Sequence, residues 1–88
     1  MEIKVLSDEK NELRFELGSI TLAEILRVYL NKDSAVDVAV WKQEHPTKNP
    51  IMLVKTDGKS PRKAVDDAVS AISKDADKLV SEFKKQLK

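Results

Sequence analysis

The side chains in this sequence that could do chemistry are few and dispersed. His45 is the only histidine, and beside Pro46 it lacks the second base or ligand that general-base catalysis or a zinc site would need. There is no cysteine, which removes thiol catalysis, iron–sulfur clusters and zinc ribbons. Glu12, Arg14 and Glu16 alternate, the pattern of a wet strand face rather than of a carboxylate pair. The only glycines are Gly18 and Gly58, so neither a dinucleotide fingerprint nor a P-loop can be written. Asp57-Gly58-Lys59-Ser60 has the form of the tail of a phosphate loop at a helix N-terminus, where an anion could sit. The same four residues make a plain turn and cap, and that is the preferred reading. Trp41, next to Lys42, could anchor a partner or stack a base, with burial against a helix as the alternative. The expectation is no catalytic residue, no cofactor and no metal.

Composition narrows the class without naming a task. The chain has 88 residues, enough for one domain over 1–88, near the lower limit for folding without disulfides or metal. Charged residues make up 35% but nearly cancel, leaving a formal charge of +1. That balance offers no overall field for nucleic acid, although a local patch could exist. Met1-Glu2-Ile3-Lys4 alternates from the outset, with no apolar run of signal-peptide length. Nothing approaches the length needed to span a bilayer, so no membrane association and a cytoplasmic location are expected.

The elements that would position these groups can be read in order. Residues 2–6 alternate, with Ile3 and Val5 on one side, and 12–17 alternate more strictly, with Leu13, Phe15 and Leu17 inward. Ser7 to Asn11 is a polar turn between them. Thr21 and Glu24 have capping-box spacing, and Ile20 with Ile25 can form a hydrophobic staple. Leu22, Ile25, Leu26 and Tyr29 then give this helix a buried face. Val28 and Leu30 widen the apolar arc to about 200°, roughly twice what one sheet covers. The excess calls for another helix or another chain. Val36, Val38 and Val40 alternate towards Trp41 in a third strand, with Val38 and Val40 assigned to the core. A proline-flanked loop, His45 to Pro50, leads to Ile51-Met52-Leu53-Val54, apolar on both sides and so either central or covered twice, with Leu53 assigned to the core.

Ser60-Pro61 opens the last helix as cap and first residue. From there Val65, Val69, Ile72, Ala76, Leu79, Phe83 and Leu87 form one stripe, and Lys84, Lys85 and Lys88 complement the dipole at its end. The order β-β-α-β-β-α predicts an α+β domain: a four-stranded, mostly antiparallel sheet with two helices on one face, the C-terminal one long. Twenty-eight helical residues would run about 42 Å, against about 30 Å for a compact domain of this size. Roughly the last two turns should overhang, so that the tail either frays or is covered by a partner helix.

The whole chain resembles the subunit-L family of archaeal RNA polymerase, relatives of the eukaryotic polymerase II eleventh subunit and the bacterial alpha N-terminal domain. The opening Met1-Glu2-Ile3-Lys4-Val5-Leu6, Asn11-Glu12-Leu13-Arg14, His45-Pro46 and Thr56-Asp57-Gly58 with Pro61 and Ala64 carry the likeness. So does Thr21-Leu22 followed by Ile25-Leu26-Arg27, where the family has His-Thr-Leu-Gly-Asn-Leu-Leu-Arg. Ile20, Ala23 and Glu24 depart from that motif at its His, Gly and Asn. The resemblance implies a non-catalytic subunit that heterodimerises with the D subunit of the RNA polymerase. The pair would be a platform for the N and P subunits and then the large catalytic subunits. No sequence-specific nucleic-acid contact is implied. The partner interface is expected at Thr21, Leu22, Ile25, Leu26, Arg27 and Tyr29 of the first helix and at Leu79, Phe83 and Leu87 of the last.

Two other classes stay open. A self-associating α+β module would use the same helices in a two-fold dimer. A small nucleic-acid-binding domain would need Lys42, Lys48 and Lys55 gathered with Trp41 on one surface.

Overall fold

A computed structural model describes residues 3–87; Glu2, where the alternation puts the start of the first strand, and Lys88 of the terminal lysine cluster lie outside the described residues. The elements are β1 (Ile3–Asp8), β2 (Glu12–Leu17), α1 (Ile20–Leu30), β3 (Val36–Lys42), β4 (Ile51–Thr56) and α2 (Pro61–Gln86). The strands form one sheet in the order β1-β2-β4-β3, every neighbouring pair antiparallel. Of the two readings its apolar composition allows, β4 is central rather than covered twice, and both helices pack on one face. Leu13, Phe15 and Leu17 of β2 point to that face, with Met52 and Val54 of β4 and Ala39 of β3. Ala23, Leu26 and Leu30 of α1 and Ala64 and Ala68 of α2 close the core over them. Gly58 turns β4 into α2 with φ +81°, a left-handed conformation that strains any side chain.

Several expectations fail by one register step or one helical turn. In β3 the inward residues are Ala39 and Trp41, opposite Val54 and Met52. Val40 pairs with Leu53 on the other face and is 49% exposed; Val38 and Leu53 are half-buried there. A register shift between Val36 and Val38 is the reason. Val36 faces inward against Thr56, the irregularity at Asp37 takes up one residue, and every later side chain changes face. Ile3 and Val5 lie on the helix side, opposite Leu17 and Phe15, but stay 59% and 44% exposed, because α2 reaches β1 through Arg62 at Asp8 and neither helix covers these two residues.

Helix α1 begins two residues earlier than the capping box implies. Its cap is Ser19, whose Oγ accepts the Leu22 N–H at 3.2 Å, so Thr21 lies exposed inside the first turn. Glu24 turns instead to Arg27 and Trp41, and Ile20 and Ile25 are 45% and 37% exposed, with no staple between them. Tertiary geometry decides this. β2 ends at Leu17, and only an immediate start brings Ala23, Leu26 and Leu30 onto the sheet.

Candidate partner-binding surface

Helix α2 buries Pro61, Ala64 and Ala68, not the larger residues of its stripe. Small side chains let helix axes approach closely, so the alanine row is the one that meets α1 and the sheet. Val65 and Ile72 are half-buried beside that row and Val69 is 49% exposed. At about 100° per residue, the stripe through Val69, Ala76, Phe83 and Leu87 is turned some 60–100° away from Ala68. The sheet explains where coverage stops. Strands of six residues span about 20 Å, and twelve helical residues from Pro61 to Ile72 span about 18 Å. From Ser73 onward every described residue is exposed, a reach of about 22 Å. The overhang is thus nearer four turns than the expected two. The radius of gyration, 14.6 Å against about 12 Å for a compact chain of this length, records it.

Along that overhang Leu79, Phe83 and Leu87 are 70%, 64% and 71% exposed, with Val80 beside them at 53%. The same apolar ribbon runs back into a groove of about 410 Å³. Ile3 and Val5 of β1, with Leu13 and Phe15, form the floor of this groove; Leu22 and Leu26 form one wall and Val65, Val69 and Ile72 the other. Strand alternation and the helix stripe assign Ile3, Val5 and Val65 to the domain's own core, and the structure places them at its open edge instead. Their apolar signal is present in the sequence; which side is left uncovered is not.

The expected interface residues separate into three places. Leu22 and Leu26 line the groove, Leu26 only 2% exposed and mainly core. Leu79, Phe83 and Leu87 stand free on the overhang. Thr21 and Ile25 are exposed on the outer side of α1. Arg27 and Tyr29 are engaged within the chain. Arg27 pairs with Glu24, which also accepts the Trp41 indole N–H at 2.9 Å, tying α1 to β3. These bonds, Arg27 first and Trp41 second, pull the Glu24 carboxyl down to about 2 and raise the Arg27 guanidinium above its ordinary value. The Tyr29 hydroxyl donates to Asp75 Oδ2 at 2.6 Å, tying α1 to α2, and that bond pushes its own pKa up.

The remaining candidates resolve plainly. Ser60 caps α2 through the Lys63 N–H at 3.1 Å, and Lys59 sits 2.6 Å from both Asp33 and Asp67. The lysine that would greet an anion is held by two carboxylates, so Asp57–Ser60 is a turn and cap. The Lys59 ammonium lowers both carboxyls, and they in turn raise it. Trp41 is half-buried on the helix side, whereas Lys42 and Lys55 face the opposite side of the sheet. The single surface that a nucleic-acid reading needs is therefore not assembled. His45 lies exposed in its loop, and among the described residues no cluster of His, Asp or Glu could hold a metal. No described helix is long and apolar enough to cross a membrane.

Known proteins resemble this arrangement from end to end. Residues 10–82 match the family described as the RNA polymerase Rpb3/Rpb11 dimerisation domain. The DNA-directed RNA polymerase subunit Rpo11 of Methanosarcina barkeri is 35% identical, over 97% of this chain and 96% of its own. That of Sulfurisphaera tokodaii is 34% identical, over 96% and 95%. The crystal structure of DNA-directed RNA polymerase subunit L from Thermoplasma acidophilum superposes with a TM-score of 0.86 at 32% identity. It covers 97% of this chain and 87% of that one.

Proposed function

The chain belongs to the RNA polymerase Rpb3/Rpb11 dimerisation-domain family, and from that premise we propose that it is a non-catalytic assembly subunit of an archaeal DNA-directed RNA polymerase. It heterodimerises with the polymerase's D subunit, and the pair receives the N and P subunits and then the large subunits, which hold the active site. Its place of work is the cytoplasm. The observation that carries this reading is the apolar ribbon that leaves the groove and continues along α2 to Leu87 with nothing of its own chain over it.

Magnitudes say which part of the ribbon matters. Fully burying Leu79, Val80, Phe83 and Leu87 would return at most roughly 6–12 kcal/mol, at 1.5–3 each. Association costs about 4–15 kcal/mol in lost freedom and ordering. The overhang alone therefore gives weak binding, and the groove must be filled as well. A partner helix laid along α2 with its end in the groove does both.

The test is co-expression with the D subunit. Native mass spectrometry should show a one-to-one complex, and Phe83→Glu with Leu87→Glu should loosen it tens-fold or more. The sheet's circular dichroism should stay unchanged. Wild-type affinity in that variant would remove the overhang from the interface and return the search to α1. A concentration-dependent homodimer, unaffected by the added D partner, would instead make the chain a self-associating module.

A further inference from the structure

The sheet face turned away from both helices is also an ordered surface. The register places Lys4, Glu16, Ile51 and Lys42 in one row across all four strands. The next row holds Arg14, Leu53 and Val40, and the third Glu12, Lys55 and Val38. Ile51, Leu53, Val40 and Val38 thus make an aliphatic strip over β4 and β3, and neither helix covers it. Four cations stand on this face against three carboxylates, Glu12, Glu16 and, at the β3 irregularity, Asp37. Lys55 engages Glu12 at 3.5 Å, while Lys4, Arg14 and Lys42 make no ion pair among the described residues. Lys4 and Lys42, on the two edge strands, are three strand spacings apart, about 14 Å. A helix with its side chains is about 10–12 Å across, so these long side chains can flank a body of that width.

The physics selects among occupants. A second copy of the chain would leave the positive excess of each face uncompensated. A nucleic acid would find no aromatic to stack on, since Trp41 lies on the other face. A strand would pair at an edge, whereas a half-covered sheet face is completed by a helix. We propose that this face docks an amphipathic α-helix of another polypeptide, its apolar stripe on Leu53, Val40 and their neighbours and its acidic flanks towards Lys4, Arg14 and Lys42. The chain then holds two partners at once, the dimer partner on the helix side and this one behind the sheet. This rests on the reading that the chain works inside a multi-subunit polymerase.

The experiment uses the assembled polymerase with the full chain. A photo-crosslinking residue at Val40 should join a helical segment rich in Asp and Glu, while one at Leu79 should join the dimer partner. Lys42→Glu with Arg14→Gln should weaken retention of the Val40-linked polypeptide at least tenfold, more at low salt than at high salt, leaving the dimer intact. Val40→Lys, which touches no ion pair, should do the same with the melting midpoint held. No cross-link from Val40 in the assembled complex, or one to a basic or extended segment, overturns the proposal. So does full retention in both variants. Failure of the Phe83 and Leu87 variant to disturb the dimer strikes only the proposed function, so the two can fail separately.

Discussion

The two halves of α2 share one helix and one periodicity yet have different surroundings. Pro61 to Ile72 rests on the sheet and α1, through small residues and with Val65 and Ile72 half-covered. Ser73 to Leu87 repeats apolar residues at the same spacing and covers none of them. An apolar stripe therefore states that something must cover it, without stating whether the cover is the same chain. The covering element's length decides, and here the strands end first.

The largest effect that would sharpen this contrast is a buried charge in the inner half. Ala68→Glu places an unpaired carboxylate where the wild-type residue is 6% exposed, at a cost of several kcal/mol. A domain of this size has only about 4–13 kcal/mol to lose, so cooperative thermal unfolding should be lost or shifted far down. Phe83→Glu, the same charge on the outer half, should leave the monomer's stability within about 0.5 kcal/mol of the wild type. Equal destabilisation by the two would mean that the overhang folds back in solution.

Hydrogen exchange offers the next contrast. Beyond Asp75, which Tyr29 holds, about eleven helical residues lack tertiary support, a length marginal in water. Amides from Ala76 to Gln86 should therefore exchange much faster than those around Ala68 in the free chain, and become protected in the complex with the D subunit. Uniform protection along free α2 would contradict the division.

A smaller effect separates Ser19 from Thr21. Ser19→Ala removes the cap of α1 and should cost about 1 kcal/mol, lowering the midpoint by about 4–8 °C in a domain this small. Thr21→Ala, exposed within the first turn, should fall within about 0.5 kcal/mol. The reverse order would put the helix start back at Thr21.

The smallest effect is electrostatic. The Glu24 carboxyl sits at about 2, below its ordinary value of 4.5. A depressed carboxylate contributes stability above its unfolded pKa and loses it as pH falls towards the folded one. The melting midpoint should therefore drop as pH falls from 4.5 to about 2, and Glu24→Gln should flatten that part of the curve. Asp33 and Asp67, held low by Lys59, act in the same sense, so some slope will remain in the variant.

Order and type of every element were legible in the residues, because alternation and 3.6-residue periodicity are local properties. So were the Ser60-Pro61 cap and the presence of an overhang, while the apolar composition of β4 left a central and a doubly covered strand both open. Three things were not local. The phase of β3 hung on an irregularity at Asp37, which no alternation rule places. The start of α1 followed the end of β2 rather than the best-looking capping box. The buried row of α2 was the alanines, because close helix approach outweighs the size of any one side chain. The candidate surface shared this fate. Its residues were named on α1 and α2, but Ile3, Val5, Val65 and Val69 joined them only when the helices left β1 uncovered. A sequence states how much apolar surface each segment must hide. Which neighbour hides it is settled by lengths and packing angles that exist only once all six elements are in place.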